Sequence, residues 1–272
     1  MTHRLIIDCH HHLGRDPDYA ARLVDECARL SIAKVCTIAP FGKEGNDRLA
    51  VLLPRYGNTI LGFALVRWAE DTPDDIVRYH DQGFTGLKFI IPPAPYDDER
   101  WFLLYEKAQD LGMPCLFHLG IVARSDEPGH MLVRNDYMRP IYLDTIARRF
   151  PRLQIIGAHL GNPWYEEAAM ACRWNPNLYF DLSGSTLKAK KPRFLDELLW
   201  WTPFTRYRDP EGRHAWEKIV FGSDVPYYEI HDVLHDYHCT MSTLGLSEEL
   251  KWKVLGGTAA RILGVEEQTS SG

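Results

Sequence analysis

Eight short apolar runs, each followed by a longer amphipathic stretch, constrain this 272-residue chain more than any other feature. The runs are Leu5–Asp8, Lys34–Ile38, Ile60–Val66, Gly86–Ile90, Pro114–Phe117, Leu153–Ala158, Leu178–Leu182 and Lys218–Phe221. Most hold four to seven residues rich in Ile, Val, Leu and Phe, as expected of strands covered on both faces. Between them lie helical patterns with their own start and stop signals. Asp18–Leu30 has an apolar face, and Pro73-Asp74-Asp75 opens a helix that Gly83 closes. Asp97–Leu111, Asp136–Phe150 and Trp164–Trp174 each stop shortly before a proline. Glu229–Leu244 and Ser247–Leu263 follow the eighth run, the second broken near Gly256-Gly257.

Strand–helix alternation without long polar linkers implies parallel strands joined by helical crossovers. Eight such units fit one α/β domain, a (β/α)8 TIM barrel, whose usual length is roughly 250 residues. A doubly wound open sheet is the alternative. It loses ground because neither G-x-G-x-x-G nor G-x-x-x-x-G-K-[ST] occurs. The barrel is expected over residues 1–265, with 266–272 a frayed polar tail. Two segments exceed ordinary loop length, Gly120–Asn135 and Gly184–Trp216, and both follow strands on the side where barrels place active sites.

Charge and cysteine usage narrow the partners. Against 37 Asp+Glu the chain has 31 Lys+Arg, a formal charge of −6, and no run of basic residues. This argues against nucleic acid or an anionic membrane as partner and leaves a small-molecule substrate. The start, Met1-Thr2-His3-Arg4-Leu5-Ile6-Ile7-Asp8, lacks the apolar stretch of a secretory signal, and no segment is long and apolar enough to span a bilayer. Cys9, Cys27, Cys36, Cys115, Cys172 and Cys239 are scattered without a Cys-x-x-Cys pair and read as buried free thiols. A cytoplasmic enzyme is expected.

Candidate ligands gather at the ends of these strands. Asp8-Cys9-His10-His11-His12 follows the first run, His118 the fifth, His159 the sixth and Asp224 the eighth. In extended backbone, residues two apart share a face, so His10 and His12 turn into the barrel mouth while His11 turns toward the helices. Two imidazoles, a third histidine and a carboxylate from separate strands suit Zn²⁺, with Mn²⁺ or Fe²⁺ as alternatives. One histidine at a strand end is ordinarily structural; four such groups at the same end of four strands point to a metal.

The chain resembles the amidohydrolase superfamily, in the amidohydrolase-related branch that includes aminocarboxymuconate-semialdehyde decarboxylase-like enzymes. The matching pieces run the length of the sequence in order: Ile7-Asp8-Cys9-His10-His11-His12, Gly86-Leu87-Lys88, Phe117-His118-Leu119-Gly120, Gly157-Ala158-His159-Leu160-Gly161, Asn177 to Gly184, Phe221-Gly222-Ser223-Asp224-Val225-Pro226 and Ala259-Ala260-Arg261-Ile262-Leu263-Gly264. Thr258 departs from the family, which usually has Asn there. The resemblance implies one divalent metal held by His10, His12, His118 and Asp224, with His159 and Asp224 as catalytic groups. Asp224 would accept a proton from the water that the metal acidifies, and His159 would polarise a carbonyl or return a proton to the leaving group. In binuclear relatives a lysine at the fourth strand is carboxylated and bridges two metals. Here one metal is expected, with Lys88 unmodified and facing substrate.

Arg67, Arg124 and Arg134 are candidates to clamp a substrate carboxylate. His231, His235 and His238 share a helical face and read as structural. Trp200, Trp201, Pro203, Phe204, Tyr207 and Trp216 form either a lid over an apolar substrate or an interface in a homo-oligomer, and a core helix over Phe194–Trp201 explains part of the cluster. The expected reaction is hydrolysis of a carboxylic ester, lactone or amide by metal-activated water. Non-oxidative decarboxylation of an aromatic or unsaturated acid is the alternative, and a metal-stabilised scaffold without catalysis the third. The short chain, without large insertions, favours hydrolysis.

Overall fold

The computed structural model describes residues 5–123, 133–201 and 214–266. Its eight strands are β1 (Ile6–His12), β2 (Ile32–Ile38), β3 (Ile60–Leu65), β4 (Gly86–Phe89), β5 (Cys115–Phe117), β6 (Ile155–Gly157), β7 (Leu178–Asp181) and β8 (Ile219–Val220). They lie in one sheet in chain order, and each is parallel to the next. The seam between β8 and β1 is joined by Cys9 N–H to Phe221 O at 2.8 Å and Asp224 N–H to His10 O at 2.7 Å. This is the (β/α)8 barrel that the alternation of runs implies.

The helices are α1 (Tyr19–Arg29), α2 (Gly45–Ala50), α3 (Leu53–Tyr56), α4 (Pro73–Asp81), α5 (Phe102–Asp110), α6 (Ile141–Arg149), α7 (Tyr165–Trp174), α8 (Ser185–Ala189), α9 (Pro192–Leu198), α10 (Ile230–Thr243), α11 (Glu248–Trp252) and α12 (Thr258–Leu263). Thr72 caps α4 reciprocally with Asp75, which explains why Pro73-Asp74-Asp75 was so clear a start. Three short helices, α2, α3 and α8, fall where the sequence has no long amphipathic period. The helix expected over Phe194–Trp201 instead spans Pro192–Leu198, because proline is favoured in the first turn.

The largest correction to strand boundaries is at the start of the barrel. Expected over Leu5–Asp8, the first strand runs on to His12, so the histidines lie on it rather than after it. A bulge carries it: Asp8 pairs with Val35 but His11 with Thr37, leaving one extra residue on β1.

Apolar side chains fill two regions. Inside the barrel, Ile7, Cys9, Cys36, Phe63, Leu116, Ile156 and Val220 pack with Ala259, Ala260 and Ile262 of α12. Outside it, a second core lies between sheet and helices. Trp201 and Trp216 are buried in that outer core, so these two members of the aromatic cluster are packing residues and neither lid nor interface. Pro203, Phe204 and Tyr207 lie outside the described residues, as does the tail 267–272. The helical path does not break at Gly256-Gly257. It widens there into a π turn over Lys253–Gly257, where a Cβ on Gly256 would come within 1.9 Å of Leu5 O. Five cysteines are buried as expected; Cys239 is exposed on α10, 3.2 Å from His235 Nε2.

Candidate metal centre

Strand alternation sorts the three consecutive histidines as expected. His10 and His12 turn inward, while His11 turns outward to Tyr19 Oη on α1 at 3.1 Å and Ser223 Oγ at 3.3 Å. Burial lowers the His11 pKa to about 3, so it is a neutral packing residue. Asp8, whose carboxyl burial raises to about 6, accepts from the backbone of His10 and from both the backbone and the hydroxyl of Ser223. It thus ties the end of β1 to the segment that presents Asp224.

Asp224 stands where the inward imidazoles meet. Its Oδ1 is 3.4 Å from His12 Nε2 and 3.6 Å from His10 Nε2, and its Oδ2 is 3.7 Å from His159 Nε2. Burial by itself would raise its pKa, yet the facing His10, His12 and His159 hold it below the ordinary carboxylate value. His10, His12 and Asp224 place one ligand atom each within 4.8 Å of one another, the spread a single cation needs. His12 is 39% exposed, which leaves the site open on that side.

His118 lies outside that triad but adjoins it through His159, their ring centroids 5.0 Å apart. Its Nε2 is buried with no hydrogen-bond partner, and its pKa is pushed well down, first by burial and then by His159 and Lys88. A neutral imidazole with an orphaned inward nitrogen is what a metal ligand looks like without its ion. These donors, nitrogen and carboxylate oxygen around an open side, fit a divalent metal.

Two residues at the centre have strained backbones. His159 has φ 61° and Asp224 φ 49°, the left-handed region that non-glycine residues rarely adopt. His159 is held there by its own amide donating to Asp181 Oδ1 at 2.9 Å and its carbonyl accepting from Thr186 Oγ1 at 2.6 Å. Gly184 is shaped by the same neighbour. At φ +64° it needs glycine's freedom, and a Cβ would lie 2.9 Å from His159 Nδ1. Gly184→Ala should therefore push the imidazole off its position. The expected result is a loss of turnover of at least about tenfold with metal content unchanged, checked by steady-state kinetics beside elemental analysis.

Lys88 is fully buried, with Nζ 3.0 Å from His10 Nε2 and its pKa lowered to about 8 by burial. It lies against a candidate ligand inside the barrel, deeper than the substrate-facing position expected from sequence. Arg67 is also differently employed. Its guanidinium is spent on Asp71, at 3.0 Å from Nε and 2.7 Å from Nη2, beside a cavity of about 270 Å³ lined by Phe41, Lys43, Trp68 and Ile90. Arg134 is exposed and paired with Asp136, and Arg124 lies outside the described residues. His231 pairs with Asp232 on the surface of α10, away from the centre. Thr258 bonds to Glu217 O ahead of β8, at the opposite end of the barrel from the candidate ligands.

Sequence reasoning passed over Asp181 and Ser183. Asp181 is fully buried at the end of β7 with Oδ2 2.9 Å from His10 Nδ1; Ser183 Oγ lies 2.5 Å from Asp181 and 3.0 Å from His159 Nδ1. His10, His159 and Asp181 also come close enough to suggest a second ion, but their facing atoms are already hydrogen-bonded. The signal available was Asp181-Leu182-Ser183, an acid and a hydroxyl two apart at a strand end.

The family model for amidohydrolases matches residues 7–265, and the chain belongs to the amidohydrolase family. It is accordingly an enzyme of the hydrolase class. Its fold is shared with a probable 2-pyrone-4,6-dicarboxylic acid hydrolase of Acinetobacter baumannii with citric acid bound (13% identity, 97% of this chain and 100% of that one, TM-score 0.65). It is shared too with an amidohydrolase of Burkholderia multivorans with bound zinc (15%, 96% and 100%, TM-score 0.63) and with the 4-oxalomesaconate hydratase of Rhodopseudomonas palustris (14%, 96% and 96%, TM-score 0.62). No curated protein sequence matches the chain. Among the described residues no helix is long and apolar enough to cross a membrane.

Proposed function

We propose that this enzyme hydrolyses a carboxylic ester, lactone or amide of a small molecule, using one divalent metal held by His10, His12, His118 and Asp224. The observation that carries this reading is the convergence of inward imidazoles, one with an orphaned nitrogen, on a two-sided carboxylate at the open end of the barrel. Zinc is the metal of choice for such nitrogen-rich sets, and a structurally similar amidohydrolase holds it. When bound, a divalent metal supplies Lewis acidity and lowers the pKa of coordinated water.

The chain's own groups do the rest. Asp224 faces the ligand imidazoles with Oδ1 and His159 with Oδ2, so a proton accepted at Oδ2 has an acceptor 3.7 Å away at His159 Nε2. His159 can then hold that proton beside the leaving group. Five of the six cysteines are buried free thiols, which fits a reducing, cytoplasmic setting.

Solvent labelling tests the reaction class. With oxygen-18 water the acid product should carry one solvent oxygen per bond cleaved. Stoichiometric carbon dioxide from a carboxylate substrate, with no solvent oxygen in the product, would replace this reading with decarboxylation.

A further inference from the structure

We infer that Asp181 and Ser183 are positioning residues that fix His10 and His159 as Nδ1–H tautomers, turning both unprotonated Nε2 atoms toward Asp224. The protons around Asp181 can be counted one by one. Asp181 Oδ1 accepts from His159 N at 2.9 Å, Ser183 N at 2.9 Å and Ser183 Oγ at 2.5 Å, while Oδ2 faces His10 Nδ1 at 2.9 Å. Every other group around this carboxylate is a donor, and an ionised carboxylate can only accept. With three donors already gathered on Oδ1, the carboxylate serves as acceptor on both oxygens. His10 Nδ1 must therefore carry the hydrogen.

The same count settles His159. Ser183 has one hydroxyl proton, and at 2.5 Å from a carboxylate oxygen that proton belongs to Asp181. Turning it toward His159 would leave two proton-less oxygens in contact. Ser183 Oγ can only accept from His159 at 3.0 Å, so the hydrogen of His159 sits on Nδ1. At His10, Lys88 Nζ, a donor, stands 3.0 Å from Nε2, which leaves the ring hydrogen to Nδ1; His159 Nε2 lies 3.7 Å from Asp224 Oδ2, so its tautomer is held by Ser183 alone. One buried carboxylate thus sets a candidate ligand directly and a candidate proton carrier through a hydroxyl. Fixing a tautomer from behind in this way is how outer groups commonly orient metal-binding imidazoles.

The catalytic consequence rests on the hydrolase reading; the tautomers do not. They can be read by long-range proton–nitrogen NMR on the full chain labelled with nitrogen-15 histidine, stripped of metal and again with zinc added. His159→Gln and His10→Gln assign the two signals. Wild type should show both rings protonated at Nδ1. Ser183→Ala should release His159 toward the Nε2–H form, lower kcat about 10–100-fold with little change in KM, and leave zinc affinity unchanged.

Asp181→Asn should act on His10 instead. Three donors fix the amide oxygen at the Oδ1 position, so the amide NH₂ faces His10 Nδ1 and forces its hydrogen to Nε2. Zinc affinity should then fall about 10–100-fold. A wild-type His159 protonated at Nε2, or a His159 signal unmoved by Ser183→Ala, would overturn the assignment. Correct tautomers in a protein inert toward every ester, lactone and amide would uphold it and overturn the hydrolase reading alone.

Discussion

His10→Ala, His118→Ala and Asp224→Ala should each be isolated with far less than one metal ion per chain, against about one in the wild type, and hydrolytic turnover should fall with the metal. Each removes one of four donors that come from three different regions of the barrel rim, so the remaining three cannot close up around the ion. The loss of affinity should exceed the roughly 10–100-fold that loss of an outer hydrogen-bond partner costs. His118 is the most telling position. Its buried Nε2 has no partner in the protein, a condition worth about 1–3 kcal/mol of destabilisation that a bound ion relieves. Added zinc should therefore raise the melting temperature of the wild type and leave that of His118→Ala unchanged. His11→Ala is the control: it deprives Tyr19 and Ser223 of a buried partner and lowers stability, yet should keep its metal. Stoichiometric metal in all four proteins would remove these residues from the ligand set.

Much of this centre was legible because period and position are local properties. Alternation along one strand separated His10 and His12 from His11, and the strand ends put His118, His159 and Asp224 on the same face of the barrel. The parts that were not legible depend on what a side chain meets across the fold. Whether an arginine clamps a substrate depends on whether a carboxylate has already taken its fork, and Arg67 has Asp71 four residues away. Asp181 was hidden for a related reason. Asp181-Leu182-Ser183 puts an acid and a hydroxyl on one face, but nothing local says what they hold; that role exists only because β7 brings Asp181 under two imidazoles from β1 and the end of β6. The bulge that extends β1 to His12 is likewise set by pairing with β2, which the residues of β1 alone do not encode.

Nuclearity is decided by two further variants measured together, and the geometry makes their outcomes different. With a single metal, His159→Asn should keep its ion while turnover falls by about 10²–10⁴-fold, the usual contribution of a positioned acid–base group. That expectation follows from where His159 looks: its Nδ1 is taken by Ser183, and its Nε2 is 3.7 Å from Asp224 Oδ2, on the other carboxylate oxygen from the one His10 and His12 approach. A second ion would need His159 Nε2 as a ligand and a bridging carbamate on Lys88, whose Nζ now lies 3.0 Å from His10 Nε2 with no other hydrogen-bond partner among the described residues. In that case His159→Asn and Lys88→Ala should both reduce metal from two ions per chain toward one, and intact-protein mass should show the carbamate on the wild type. If the site holds one ion, Lys88→Ala should leave the count at one. It should still disturb the centre, because a buried amine that can donate to His10 Nε2 competes with the cation for the same lone pair, and its removal should tighten metal binding rather than weaken it.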